Sequence, residues 1–319
     1  MPSQPAPYST AFYFQPQTRH HLEIPVARLP TQTMLSLPVM VIHGQAPGPV
    51  LWLSGAIHGD EVNGVEIIRQ VVQRLEHYPF VGTVLAIPIV NVFGFMEGTR
   101  YLPDRRDLNR SFPGSSQGSL ASRLAHLFMH EVVKRSTHGI DFHTASDHRV
   151  NWPHLRANLD HEPTHRLAQA FGIPLIMHAN LRDGSLRQAA SQRDIPMLLY
   201  EAGEALRFDD RSIHLGVQGT FRVMVALEML AADGPLPSEL PQESRKSAWV
   251  RASRSGLLSL HTNLGERVIA QQRLGTISDA FGEKQYAIRA RRPGIVVALT
   301  HKPWIHQGDA IAHLATVES

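Results

Sequence analysis

Apolar residues along this chain follow two alternating periods as far as about residue 232, and only the shorter period afterwards. Residues 33–44 (TMLSLPVMVIHG) and 50–59 (VLWLSGAIHG) are dense apolar runs separated by APGP, and they predict two strands joined by a turn, an antiparallel start to a sheet. From Asp60 the period lengthens. Val65, Ile68, Val72 and Leu75 follow at helical spacing, with Asp60 placed to cap the helix. A strand over 83–91, a helix carrying Leu120, Leu124, Leu127, Phe128 and Val132, and a short strand over 139–145 come next. The alternation repeats with a helix near 164–171, a strand over 173–179, a helix near 185–193, a strand over 195–201 and a long helix over 211–232. The first thirty residues, rich in Pro, Gln and His, show little period. Strands alternating with helices predict an α/β fold, a mixed, mostly parallel sheet with helices on both faces. Its ligand site should lie beyond the carboxyl ends of the strands.

Three prolines and a polar cluster in DGPLPSELPQESRK (233–246) end this pattern, and only short β-type runs broken by Gly follow. The organisation expected is a first domain over 1–235, a linker over 236–246 and a small C-terminal all-β domain over 247–319. Composition narrows the class without changing this division. With 43% hydrophobic and 18% charged residues the chain is globular, and 31 Lys and Arg against 28 Asp and Glu leave no basic block for nucleic acid. No apolar run approaches the roughly 18 residues of a membrane span, and MPSQPAPYST lacks the features of a secretory signal. A cytoplasmic protein with neither a nucleic-acid nor a membrane partner is expected. The absence of cysteine removes thiolate nucleophiles and thiolate zinc sites, so any metal must be held by His and carboxylate.

His58 and Glu61 lie in HGDE, where a predicted strand gives way to a helix, and their donor atoms both suit Zn²⁺. On its own an HxxE is a weak signal. His143, in DFHTA, closes another predicted strand, and Asp141 two positions earlier could orient its imidazole. Two His and one Glu with an open fourth position form a catalytic rather than a structural zinc arrangement. Glu201, in LLYEAGE, ends the last strand of the alternating part, where an acid does not serve packing. A carboxylate there could act as general base, with Glu204 as a weaker substitute.

The stretch 93–118 is too long for an idle loop. Within its GTRYLPDRRDLNRSFPG, Arg105 and Arg106 read best as solvated. Asn109 and Arg110, flanked by Leu108 and Phe112, suit bidentate capture of a carboxylate. His148 and His154 stay open between pocket and packing roles, and Arg149 and Asn151 between specificity and structure.

HGDE, DLNR, DxH and ExG, in that order, resemble the zinc carboxypeptidase superfamily, specifically its succinylglutamate desuccinylase and aspartoacylase branch. The resemblance covers 50–203 by motif and the whole chain more loosely. It implies one Zn²⁺ per chain bound by His58, Glu61 and His143, with Glu201 activating the metal-bound water. It also implies that Asn109 and Arg110 hold a substrate carboxylate, and that Arg100, in TRY, polarises the scissile carbonyl. Two extra residues between Arg100 and DLNR leave Arg105 a rival for that role. The function implied is a zinc-dependent amidohydrolase that deacylates a small N-acyl amino acid. Alternatives are a zinc carboxypeptidase or peptide amidase and, from another class, a non-catalytic metal or ligand-binding module. Assembly into a homo-oligomer stays open. The C-terminal part resembles the biotinyl and lipoyl carrier fold. Its hairpin lysine, Lys284, lacks the acceptor context, so an unmodified domain that shapes access to the site is expected.

Overall fold

Strand and helix alternate as far as Ala226 in the computed structural model, which describes residues 9–231 and 241–317, and only strands follow. In chain order the elements are β1 (Arg19–Arg28), β2 (Met34–His43), β3 (Val50–Gly55), α1 (Asn63–Arg74), β4 (Thr83–Ile87), α2 (Val92–Glu97), α3 (Leu120–Glu131), β5 (His138–Ala145) and β6 (Arg149–Ala157). Then come α4 (Glu162–Phe171), β7 (Leu175–His178), α5 (Leu186–Ser191), β8 (Met197–Glu204) and α6 (Asp210–Ala226). The C-terminal strands are β9 (Gln242–Ser244), β10 (Lys246–Arg251), β11 (Gly256–Leu260), β12 (Arg267–Val268), β13 (Arg273–Ser278), β14 (Gln285–Arg289), β15 (Gly294–Thr300), β16 (Trp304–Ile305) and β17 (Ala310–Thr316).

Among the described residues, thirteen strands share one sheet whose main path runs β1-β2-β4-β3-β5-β8-β6-β15-β17-β10. Its centre, β4-β3-β5-β8, is parallel, and antiparallel neighbours flank it on both sides. The central strands are buried on both faces, and their period of two sorts side chains between two cores. Leu51, Leu53, Ile140, Phe142, Leu198 and Tyr200 pack with α1, α4 and α6. Trp52, Leu85 and Ile87 pack on the other face with α3 and α5. Because Ile140 and Phe142 face the first core, Asp141 and His143 are turned to the opposite face, the face of α3 and α5. That alternation supplies the site with its strand residues.

Several sequence expectations shift. β2 and β3 do not form a hairpin: β4 lies between them, since β3 is buried on both faces and needs a neighbour on each edge. The antiparallel start is instead β1 with β2, and β1 lies in the stretch with little period. Asp60 does not cap α1, which begins at Asn63 after Val62. Its place is taken up by the tight turn in which the Glu61 N–H donates to the His58 carbonyl. The long loop contains α2 and a 3-10 turn at Leu108–Arg110. β6 carried no expectation, because Pro153 and its charged neighbours mask its alternation.

The C-terminal strands divide between two sheets. β14-β13-β11-β16 form a separate four-stranded sheet, while β15, β17 and β10 continue the large one through antiparallel pairing of β15 with β6. Of the expected linker 236–246, residues 236–240 lie outside the described residues; β9 falls in the remainder and pairs in parallel with β7. Among the described residues no helix is long and apolar enough to cross a membrane.

Candidate active site

His58 and Glu61 sit between β3 and α1, and His143 lies on the neighbouring strand β5. One ligand-type atom from each lies within 4.8 Å of the others, and all three side chains are buried. The partners of the two imidazoles show which nitrogen does what. The His143 Nε2 is 2.7 Å from Asp141 Oδ2, and the His58 Nε2 is 3.1 Å from Asp107 Oδ1. An ionised carboxylate can only accept, so both Nε2 atoms are assigned as donors. The Nδ1 atoms then face Glu61, at 2.7 Å from His58 and 2.8 Å from His143. Acceptors that close require a shared proton or a cation between them. This convergence of imidazole nitrogen and carboxylate oxygen fits Zn²⁺, with the carboxylates behind the rings fixing their tautomers.

The electrostatics agree with a site built for positive charge. Burial opposes ionisation of Glu61, yet the two imidazoles hold its carboxyl far below the usual range. Burial likewise opposes protonation of His143, but Asp141 and Glu61 outweigh it and raise its pKa well above the usual value. Arg100 reaches the same place. Its Nη1 lies 3.1 Å from both Glu61 Oε1 and His58 Nδ1 and 3.3 Å from the Ser146 hydroxyl, while its Nη2 donates to Asp107 at 2.9 Å. Asp107 therefore braces both His58 and Arg100, a role the sequence reading did not assign. Arg105, by contrast, is exposed.

Glu201 stands on β8 in register with His143 on β5. Its Oε2 accepts from Asn151 Nδ2 at 2.7 Å, and its Oε1 is 3.5 Å from Arg156 Nε. Burial raises its pKa, and the nearby Arg156 and His143 pull against that rise. Arg187 of α5 is a second residue that sequence reasoning missed. Its guanidinium is buried, donates to the carbonyls of Ala179 and Asn180, and has its pKa pushed down to about 10 by burial and by Arg156. Glu201 opposes that fall. An arginine in a polar helix gave no signal, because its burial depends on how α5 docks.

Asn109 is buried, and its Oδ1 accepts from the Leu186 N–H at 3.0 Å, tying the DLNR turn to the start of α5. Arg110 is exposed beside it, and its Nη1 donates to the Asn109 carbonyl. Glu204 lies at the rim, paired with Arg207 and His301. His148 is exposed in the β5–β6 turn, whereas His154 is buried with its Nδ1 2.7 Å from the Trp152 carbonyl. Lys284 is at the β13–β14 hairpin, where the Asp279 carboxylate accepts its backbone N–H.

Residues 47–227, more than half of the chain, match the Succinylglutamate desuccinylase/Aspartoacylase catalytic domain. The chain belongs to that family. It is 28% identical to N-alpha-acetyl-L-2,4-diaminobutyric acid deacetylase of Halomonas elongata, over 98% of this chain and 96% of the relative. The product-bound ectoine utilization protein EutE (DoeB) of Ruegeria pomeroyi superposes with a TM-score of 0.84 at 23% identity, covering 93% of this chain and 95% of the other. A succinylglutamate desuccinylase/aspartoacylase of Rhodobacter sphaeroides gives 0.83 at 25% identity over 94% and 96%. The chain thus stands among deacetylases and desuccinylases, with a His-Glu-His group able to hold a metal ion.

Proposed function

We propose that this protein is a zinc-dependent amidohydrolase that removes the acyl group from a small N-acyl amino acid, with His58, Glu61 and His143 as the ligands of one zinc ion. The observation that carries the reading is that three acceptor atoms, a half-buried guanidinium and a half-buried carboxylate meet on one face at the carboxyl ends of adjacent parallel strands. Zinc in this setting would supply a Lewis acid for water and for the scissile carbonyl.

Around it the side chains divide the work. Glu201, whose ionised form burial disfavours, takes a proton from the attacking water and passes it to the leaving amine. Arg100 stays charged because Glu61 and Asp107 outweigh the effect of its burial, and its Nη1 donates toward the carbonyl oxygen as negative charge builds there. Arg110, with Asn109 behind it, holds the substrate carboxylate. Arg187, buried and donating to backbone carbonyls, adds a second charge for it.

The full-length relationship to a diaminobutyric acid deacetylase makes N-α-acetyl-L-2,4-diaminobutyrate the first substrate to try. The zinc-loaded protein should release free amine from it, or from another N-acetyl or N-succinyl amino acid, faster than it cleaves a carboxyl-terminal residue from a peptide. Peptide cleavage without amine release from any acylated amino acid would turn the reading toward a carboxypeptidase.

A further inference from the structure

Asn151 is buried and donates to Glu201 from a strand that a regular ladder would have turned the other way. Against β8, β6 pairs His154 with Glu201 and Asn151 with Gly203, so three steps on β6 match two on β8. A regular register would set Trp152 opposite Gly203 and leave Asn151 on the far face, since one residue of slip reverses every side chain. The extra residue at Trp152 and Pro153 is a bulge, and proline suits it because a bulge spares one ladder N–H. The bulge brings the Asn151 amide 2.7 Å from Glu201 Oε2.

The stretch of β6 ahead of the bulge has its own support. Strand β15 pairs with Arg149, Val150 and Asn151, through Thr300, Leu299 and Ala298, and no further. Beyond the bulge Leu155, Arg156 and Ala157 pair with β7 instead. The C-terminal strand therefore holds the three residues that end in Asn151.

We infer that Asn151 is a positioning residue for Glu201, kept in place by strand β15, so that the C-terminal domain takes part in aiming the base. The inference rests on the reading of Glu201 given above. A neutral amide ties Oε2 without neutralising the carboxylate, and it leaves Oε1, 3.5 Å from Arg156 Nε, as the oxygen that exchanges the proton. Among the described residues Asn151 makes no hydrogen bond to His58, Glu61, His143 or Arg100, so its loss should act through Glu201 alone.

The test is a double-mutant cycle in the full-length, zinc-loaded protein, on the N-acyl amino acid that the parent turns over fastest. Asn151→Ala should lower kcat about 10- to 100-fold, with KM, zinc content and melting temperature close to the parent. In a Glu201→Gln background the same change should cost almost nothing further, because a residue that acts through another loses its effect with it. Asn151→Asp, nearly isosteric but acceptor-only when ionised, covers the case of a poorly folded alanine variant and should also lose kcat. A crystal structure of either variant should show the Glu201 carboxylate turned from its place. Equal losses in both backgrounds, or parental kcat in Asn151→Asp, overturn the inference. Parental kcat in Glu201→Gln alone overturns the reading of the base, and the inference with it.

Discussion

The Nε2 of His143 donates to Asp141 Oδ2, 2.7 Å away and two residues back on the same strand, and Asp141 Oδ1 accepts from the Ser54 hydroxyl of β3 at 2.7 Å. Asp141 is fully buried, so both oxygens are committed to holding the imidazole with its Nδ1 toward Glu61. Asp141→Asn keeps the shape but sets an amide where an acceptor is needed. Zinc affinity, measured by competition with a chelator, should fall about 10- to 100-fold while the fold persists. His143→Ala should lose stoichiometric zinc altogether, and retention of one ion per chain would show that the ligand set is wrong.

Glu201→Gln removes the proton acceptor and keeps the side-chain volume. Turnover should drop by about 10²- to 10⁴-fold, mainly in kcat, with zinc content unchanged. Near-parental kcat would move the base role elsewhere, with Glu204 next along β8.

HGDE and DFHTA were legible because each joins metal-type donors to the end of a predicted strand, and the structure does bring His58, Glu61 and His143 together. The α/β alternation was legible for the same reason: buried strands and amphipathic helices impose different periods. What stayed hidden depends on tertiary packing. Asp107 lies in an aperiodic loop, and its link to His58 and Arg100 exists only once that loop folds over the turn after β3. The bulge in β6 broke the alternation that would have announced a strand, so Arg156 carried no expectation, and Asn151, open between specificity and structure, gave no sign of its bond to Glu201. Nor could sequence show that the C-terminal strands continue the large sheet, since pairing of β15 with β6 leaves no local trace.

A carboxylate held by guanidinium should be sensitive to the shape of the cation as well as its charge. Arg110→Lys and Arg187→Met should each raise KM about tenfold or more, with a smaller change in kcat. Replacing the substrate carboxylate by an amide should impair the parent and erase most of the difference between parent and variants. Parental KM in both variants would place the carboxylate elsewhere.

Acid should destabilise the fold through two histidines outside the His58, Glu61 and His143 group. Burial, reinforced by Arg156, holds both His154 and His313 at about 3, against 6.5 for an ordinary histidine. Between those values the unfolded chain binds more protons than the folded one. Their contribution is therefore intact above about pH 6.5 and is lost as pH falls toward 3. His313 stacks on Trp249 with ring centroids 4.6 Å apart, so His313→Phe keeps the stack and removes one titrating group. In chelator-treated protein, the variant's stability should fall less steeply across this window, by up to about 1.4 kcal/mol per pH unit. Identical slopes in urea melts of parent and variant would mean that His313 is not held neutral.

The C-terminal domain should unfold together with the rest of the chain. β15 and β17 pair with each other, and β15 pairs with β6, so the large sheet runs through both parts without a break. A shared apolar cluster reinforces the seam: Leu175 and Met177 of β7 pack with Ile295 and Val297 of β15 and Ala315 of β17, with Trp152 at the margin. A domain joined only by a tether would show its own transition, whereas one that shares a sheet and a core should melt in a single cooperative step. Ile295→Ala, which opens a cavity in that cluster, should lower the stability of the whole protein by about 2–5 kcal/mol and leave one calorimetric transition. Ending the chain at Glu243 should strip the edge of β6 at residues 149–151, uncover the apolar face of β7 and give an aggregating, inactive product. Two separated transitions in the parent, or a soluble and active truncated chain, would show that the C-terminal strands are an independent module and that β6 does not need them.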